Sequence, residues 1–108
     1  MTYDPSAAAP PKLSTFDFLL QEMELKQRFE AAVAGSKELS SRPDNNTLLR
    51  LYSLYKQATE GDAPATSDAG MFDIVAKAKY NAWDAHRGKS AGAAMEEYID
   101  LYEGLRAG

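Results

Sequence analysis

The sequence predicts an all-α protein, a small bundle of four helices. In four separate stretches, apolar residues recur at three- and four-residue steps, which places them on one face of a helix. No stretch alternates convincingly between apolar and polar residues, so strands are not expected. The connections between the four stretches are short, and helices with short connections pack as a bundle. A chain of 108 residues is also expected to form a single domain.

The first helix is expected over residues 15–40, with Thr15 as its N-cap and Asp17 in its first turn. Pro43 disfavours helical backbone at Arg42 and marks the break that follows. The recurring apolar positions of this helix are Phe16, Leu19, Leu20, Met23, Phe29, Ala32 and Val33.

The second helix is expected to begin at a cap formed by Asp44 or Asn45 and to run to about Glu60. Gly61 follows as the residue that ends it. Residues 62–70 contain Pro, Asp and Gly, so they predict a loop.

The third helix is expected over residues 73–87, where Gly88 stops it. Ser90 is expected to cap a fourth helix that runs to about residue 106. Ala93 stands where a capping box has an acidic residue, so this cap should be weaker than usual. The core positions expected in these two helices are Ile74, Ala78, Trp83, Met95, Tyr98, Ile99, Tyr102 and Leu105.

The second helix carries two tyrosines and a lysine on an otherwise apolar side. With about 100° per residue, Tyr55 and Lys56 fall about 60° and 40° to either side of Tyr52. A purely structural stripe would not place Lys56 there, because lysine is seldom buried without a partner. Aromatic rings and an ammonium beside apolar surface could bind a flat, anionic and greasy ligand. A nucleotide phosphate with a lipid tail fits that description.

Five segments resemble the acyl-CoA-binding protein family, in the family's order and near its spacing. They read YSLYKQATEGD, GMFD, KAKYNAW, GKS and AMEEYI, and they fall within roughly residues 29–106. The resemblance implies an up-down-down-up bundle with the ligand in a shallow bowl. It also implies non-catalytic binding and intracellular transport or buffering of long-chain fatty acyl-CoA esters, with acyl-CoA as the ligand and no cofactor.

The resemblance assigns most of the ligand contacts to the second and third helices. Tyr52 and Lys56 match positions that meet the 3′-phosphate, and Tyr55 matches the tyrosine that contacts adenine. Lys79 matches the third-helix lysine that reaches phosphate, and Tyr98 matches the fourth-helix tyrosine at the ligand.

Further positions carried over from the family are less central. Lys37 matches a ligand-contacting position late in the first helix, and Val75 stands where many relatives have a lysine. The phosphate site is therefore expected to carry one positive charge fewer. The positions that match the lining of the family's acyl groove are Phe29, Val33, Leu49 and Leu51.

Composition argues against several classes of function. A net charge of −4 argues against nucleic acid, which is bound mainly by basic surfaces. The chain has no cysteine, and its single histidine, His86, cannot form a cluster, so no metal site is expected. His86 itself is expected at the surface. No stretch approaches the roughly 18 apolar residues of a transmembrane helix, and no signal peptide is visible, so a cytoplasmic location is expected.

Two rival functions remain compatible with the pattern. One is a helical module that uses the same groove for a protein helix or a membrane surface. The other is a fragment of an enzyme, since such domains can be fused to enzymes such as enoyl-CoA isomerases. The second rival is disfavoured because the sequence pattern pairs no nucleophile with a base.

The N-terminal part of the chain lies outside the resemblance. Residues 1–14 are rich in Pro and Ala and are expected to be a mobile tail before a single domain of residues 15–108. Compact family members begin close to the position of Phe29, so the first helix is N-terminally extended. Its additional apolar residues could pack on the chain's own bundle, form a homodimer through residues 15–25, cover the groove as a lid, or remain disordered.

Overall fold

The computed structural model describes residues 14–68 and 70–107, and every regular element in these ranges is an α-helix. The helices are α1 (Thr15–Ser36), α2 (Asn45–Glu60), α3 (Ile74–Asp84) and α4 (Ala91–Ala107). The predicted all-α class and the four helices are confirmed. The tail expected over residues 1–14 falls outside the described residues apart from its last member.

The predicted helix ends were wrong in three places. Ser14, not Thr15, caps α1, because its hydroxyl accepts the Asp17 N–H at 3.1 Å. Helix α1 ends at Ser36 rather than at residue 40. The Ser36 hydroxyl donates to the carbonyl of Val33 at 2.8 Å, which competes with continued helical hydrogen bonding near a weakening Gly35.

Helix α3 is shorter than predicted at its C-terminal end. It stops at Asp84, and the next residues continue in tighter turns in which His86 and Arg87 donate to carbonyls three residues back, at 3.0 Å each. Asp73 caps its start by accepting the Ala76 N–H at 3.0 Å. Ser90 caps α4 as predicted, with the Ala93 N–H at 3.1 Å from its hydroxyl.

The packing order across the bundle is α1, α4, α2, α3, because α4 packs against both α1 and α2, and α2 packs against α3. Gly92 at the start of α4 lies beside Leu25, and Tyr102 near its end closes over Gly35, so α1 and α4 run parallel. Helices α2 and α3 also run parallel, in the opposite direction. The topology is therefore up-down-down-up.

The core lies where α4 crosses α1 and α2. Ala94 is completely buried, which allows the helices to approach closely. The other buried apolar residues of this cluster are Phe29, Ala32, Leu51, Leu54, Ala58, Tyr98 and Ile99. Ile74 does not belong to this core, contrary to prediction, and is 78% exposed. Among the described helices, α3 packs on α2 alone, so no other helix covers the outer side of its first turn.

A polar clamp holds the end of α2 to the connection between α3 and α4. The side-chain amide of Gln57, which is 1% exposed, donates to Asp62 at 2.8 Å and to the carbonyl of Lys89 at 2.9 Å. Asp62 also accepts the Gly88 N–H at 2.8 Å, and this contact lowers the pKa of its carboxyl. The family-like residues around Gly61 and Gly88 therefore contribute to the stability of the fold through these contacts.

The N-terminal extension of α1 is helical but stays outside the bundle. Leu25 marks the level at which α4 begins, so the preceding turns project beyond it. Phe16 is 69% exposed and Met23 57% exposed. The expectation that these turns pack on the chain's own bundle is wrong for the described residues, because the large apolar side chains of this segment are all at least 40% exposed: Phe16, Phe18, Leu19, Leu20 and Met23. Disorder is also wrong for the described part of this segment.

Candidate functional site

The exposed face of α2 forms the floor of a shallow depression between α1 and α3. On one flank, the Tyr55 ring stacks on Phe29 of α1, with 6.1 Å between ring centres and 23° between planes. On the other flank, the Lys56 ammonium lies 4.8 Å from the ring centre of Trp83 on α3. Consecutive residues of a helix point about 100° apart, so Tyr55 is directed to the α1 wall and Lys56 to the α3 wall.

Tyr52 and Lys79 meet across the gap between α2 and α3. The Lys79 ammonium lies 5.3 Å from the centre of the Tyr52 ring. Both residues line two adjacent cavities, so their phenol and ammonium groups face the same open space. Three of the sequence-predicted phosphate ligands, Tyr52, Lys56 and Lys79, are therefore on one side of the bundle. Tyr hydroxyl and Lys ammonium groups can both donate to phosphate oxygens.

Three cavities surround this face of α2. The α1–α2 cavity has a volume of about 510 Å³ and is lined by Lys26, Phe29, Glu30, Val33, Tyr55, Ala58, Thr59 and Met95. The α2–α3 cavity, about 390 Å³, is lined by Arg42, Asn45, Leu48, Leu49, Tyr52, Ile74, Val75, Ala78 and Lys79. The loop cavity, about 240 Å³, is lined by Tyr52, Pro64, Thr66, Ser67, Asp68, Ala76, Lys79, Tyr80 and Trp83.

The predicted groove residues are divided between these spaces. Phe29 and Val33 line the α1–α2 cavity, whereas Leu49 lines the α2–α3 cavity. Leu51 lines neither of them. Leu51 is 6% exposed and belongs to the core, on the side of α2 that faces away from the open depression. Helix α2 therefore separates the α1–α2 cavity from the α2–α3 and loop cavities, and the depression is not one continuous groove.

Two other predicted ligand residues lie apart from the phosphate-facing group. Tyr98 is 4% exposed, and its hydroxyl shares a hydrogen bond of 2.8 Å with Ser36, while burial raises the pKa of the phenol. Its ring meets Phe29 edge-on at 5.2 Å, so it supports the wall that carries Tyr55. Lys37 is the exposed C-cap residue of α1 and lines none of the three cavities.

Glu60 is a functional neighbour that the sequence analysis missed. Its carboxylate forms an ion pair and hydrogen bond with Lys56, one helical turn earlier, and this contact raises the pKa of the lysine. The sequence did contain a sign of this contact, because Lys56 and Glu60 are four residues apart on one helix, the spacing at which opposite charges pair. Because Lys56 donates to Glu60, the carboxylate competes with any anion that approaches this lysine.

Replacing Glu60 by Gln should therefore tighten binding of a phosphate-bearing ligand. The expected gain is about 0.5–1 kcal/mol, roughly two- to fivefold, the scale of an exposed ion pair. Calorimetric titration of the variant at low and moderate salt measures it, and the gain should shrink as salt screens the charges. The matched control is Glu103→Gln on α4, whose partner is Arg106, away from this face. Weaker binding by Glu60→Gln would contradict the assignment.

The structure pairs a serine with a histidine, which the sequence pattern did not suggest. Ser53 Oγ lies 3.0 Å from His86 Nε2 and donates to the carbonyl of Arg50 at 2.9 Å, so the imidazole N–H donates to the serine. Nδ1 of His86 then accepts from the Lys89 ammonium at 3.0 Å. Ser53 is only 1% exposed and cannot reach a substrate, so this pair joins α2 to the α3–α4 connection.

His86 should make stability depend on pH. Burial and the Lys89 charge lower its pKa below the ordinary value of 6.5, against an opposing effect of Glu97. As the pH falls, the unfolded chain therefore takes up the proton before the folded chain does. The contribution of neutral His86 to the free energy of unfolding is complete above about pH 6.5 and is lost as the pH drops below that value. Urea unfolding between pH 7.5 and pH 5.5 should show this slope, and His86→Gln should flatten it. An unchanged slope in the variant would contradict the inference.

Within residues 14–68 and 70–107, no group of three potential metal-ligating side chains is close enough to hold an ion. Over the same residues, none of the helices combines the length and apolarity required to cross a membrane.

Comparison with known proteins points in one direction. A family model described as "Acyl CoA binding protein" matches residues 26–102. An acyl-CoA-binding protein homolog of Drosophila melanogaster is 43% identical over 83 residues, which cover 77% of this chain and 95% of that protein. The crystal structure of Oryza sativa Acyl-CoA-Binding Protein 2 matches with a TM-score of 0.68 and 38% identity, over 75% of this chain and 89% of that one. Enoyl-CoA delta isomerase 2 of Rattus norvegicus is 46% identical over 81 residues, but these are only 20% of that enzyme.

Proposed function

This chain belongs to the acyl-CoA-binding protein family, and we propose that it binds long-chain fatty acyl-CoA esters reversibly and serves in their intracellular transport and buffering. The observation that carries the proposal is that Tyr52 and Lys79 meet where they line a largely apolar cavity, with the Lys56 ammonium on the Trp83 ring at the same α2–α3 side. A phosphorylated nucleotide with a long alkyl chain needs both features, cationic donors for its phosphates and an apolar surface for its tail.

The two cavities suit different parts of the ligand. The α2–α3 cavity is lined mainly by aliphatic side chains, among them Leu48 and Leu49, which favours the acyl chain. The α1–α2 cavity offers the aromatic rings of Phe29 and Tyr55, which favour the adenine ring, so we assign Phe29 and Val33 to the adenine side instead of the acyl groove that the resemblance implies. The phosphates then lie between them, within reach of Tyr52 and Lys56 on α2 and of Lys79. Tyr98 is assigned to the support of the aromatic wall, and Lys37, which lines none of the three cavities, is not assigned a ligand contact.

The ligand is bound and released without chemistry in this proposal. The Ser53–His86 pair is inaccessible, and the similar enzyme matches over only one fifth of its length. The alternative that a protein helix or a membrane occupies the groove itself is supported by no observation on these cavities, whereas paired cationic and aromatic donors beside an apolar cavity match a phosphorylated ligand with an alkyl tail. A cytoplasmic location is part of the proposal, since that is where a carrier of acyl-CoA would exchange its ligand with enzymes and membranes.

Affinity measured across a chain-length series tests the proposal. Full burial of a methylene contributes about 0.8 kcal/mol, and an open cavity should give less. We therefore expect the dissociation constant to fall steadily from free CoA through butyryl-CoA and octanoyl-CoA to palmitoyl-CoA in calorimetric titrations. Equal affinity for free CoA and palmitoyl-CoA would mean that the tail lies in water, and the carrier function would fail.

We also propose that two copies associate through the N-terminal turns of α1. Phe16, Leu19, Leu20 and Met23 share the helix face opposite Phe29, which packs into the bundle. Acidic residues flank this stripe and no basic residue occurs in residues 14–25, which disfavours an anionic membrane as the partner. An antiparallel pair directs the acidic start of each helix towards the turn of the other that carries Lys26 and Arg28.

The pairing should be weak, because about three helical turns bury less surface area than the roughly 800 Å² that each partner of a stable complex buries. Sedimentation equilibrium over a range of protein concentrations should show a dimer that dissociates on dilution. Leu20→Glu should remain monomeric throughout, whereas Ile74→Glu, at the other end of the bundle, should behave like the unaltered chain. A monomeric mass for the unaltered chain at every concentration would refute the pairing.

A further inference from the structure

Four large apolar side chains are exposed together where α3 begins. Residues 70–73 form a tight turn, in which the last N–H donates to the first carbonyl at 3.0 Å. Met71 and Phe72, at the centre of this turn, are 76% and 90% exposed. Ile74 and Val75, in the first turn of α3, are 78% and 65% exposed. These four residues are the tip patch, and a cluster of this kind usually marks a contact surface.

The tip patch is continuous with the cavity assigned to the acyl chain. Ile74 and Val75 line the α2–α3 cavity together with Leu48 and Leu49, so one side of the patch is the mouth of that cavity. The patch lies at the end of the bundle where α2 and α3 begin, whereas the exposed stripe of α1 projects from the opposite end. The two apolar surfaces are therefore separate.

Charged residues of both signs surround the tip patch, as suits the zwitterionic headgroups of phospholipids. The basic residues closest to it are Arg42, Lys77 and Lys79. The Lys77 ammonium donates to the carbonyl of Met71 at 2.7 Å, and the other two line the adjoining cavity. Acidic residues lie there too: Asp68 lines the loop cavity beside Lys79, and the carboxylates of Asp44 and Asp73 accept N–H groups at the starts of α2 and α3, at 2.7 and 3.0 Å. The negative charge of these two carboxylates is thus partly compensated by the helix ends.

We propose that the tip patch inserts into the surface of a lipid bilayer and so places the mouth of the acyl cavity against the membrane. The turn itself is convex, and its two central side chains, Met71 and Phe72, line no part of the adjoining cavity, so the interface of a bilayer can receive them readily. The surrounding Lys and Arg side chains reach towards lipid phosphates while their stems stay on the apolar side. The inference rests on the proposed function, since it lets an acyl chain move between bilayer and cavity without crossing water.

The test measures partition of the full chain onto vesicles of phosphatidylcholine, with and without phosphatidylserine, by sedimentation. The unaltered chain should cosediment with the vesicles, and Phe72→Glu should lower its partition coefficient roughly tenfold, as expected for losing the burial of a large aromatic side chain. The matched control, Phe16→Glu, changes the same residue type at the other end of the bundle and should partition normally. Phe72→Glu should also slow the uptake of palmitoyl-CoA from vesicles.

The solution affinity for palmitoyl-CoA separates this inference from the proposed function. Phe72 lines none of the three cavities, so calorimetry without vesicles should give the same affinity for Phe72→Glu as for the unaltered chain. Failure of the unaltered chain to cosediment, or equal partition of Phe72→Glu, would overturn membrane docking while leaving the carrier function standing. Loss of partition in Phe16→Glu instead would assign the membrane contact to α1 and also overturn the proposal.

Discussion

Replacing Lys56 and Lys79 together by alanine is expected to weaken palmitoyl-CoA binding by about 3–5 kcal/mol, at least a hundredfold. Each lysine should contribute about 1.5–3 kcal/mol as a hydrogen bond to a charged group, and the two effects should not add fully because they share one anionic site. The two ammonium groups lie on the rings of Trp83 and Tyr52, so both are held at the α2–α3 side of the depression.

Lys77→Ala is the matched control for this double variant. Lys77 lies on the same helix as Lys79, about 200° away around its axis, and its ammonium donates to the carbonyl of Met71 instead of facing the cavities. Calorimetric titration should therefore give nearly unaltered affinity for Lys77→Ala. Circular dichroism should show that both proteins keep their helices. An affinity of the double variant equal to that of the control would remove the phosphate assignment.

Replacing Leu54 by alanine is expected to lower the free energy of unfolding by about 3–5 kcal/mol, which is a large part of the stability of a small domain. Leu54 is 2% exposed in the core where α2 crosses α4, and helices fixed at this crossing cannot collapse fully into the space left behind. Urea unfolding measures the loss. Ile74→Ala, at an exposed position of α3, should change the free energy by no more than about 0.5 kcal/mol. Similar losses in both variants would contradict the described core.

The helices and the α2 face could be predicted from the sequence because they depend on local spacing. The rotation that directs Tyr55 and Lys56 to opposite sides of Tyr52 is a property of the helix itself, and the structure uses it to meet α1 on one side and α3 on the other. The cap formed by Ser90 was likewise readable, because its partner lies three residues away. The order of the helices in space needed the family resemblance, since periodicity carries no information on topology.

The features that escaped the sequence analysis depend on which neighbours a helix has. Ile74 has the spacing of a core residue, but α3 packs on one helix only and leaves that turn uncovered. Leu51 matches a groove position, yet the packing of α4 on α2 turns it into the core. His86 looked like a surface residue at a helix end, and its contacts come from residues 33 positions earlier and from Lys89. Of these contacts, only the one between His86 and Lys89 is local in sequence, and the others depend on which helices become neighbours.

Binding of acyl-CoA at the α2–α3 face can be followed residue by residue by NMR in a titration of the ¹⁵N-labelled chain with palmitoyl-CoA. Saturation is expected at one equivalent. Binding at this face also predicts that the largest amide shifts occur on α2 between residues 48 and 59 and on the facing side of α3, around Lys79. Residues 14–24 of α1 should remain unshifted. Absence of saturable shifts on α2 and α3, or shifts confined to the N-terminal turns of α1, would contradict acyl-CoA binding at this face.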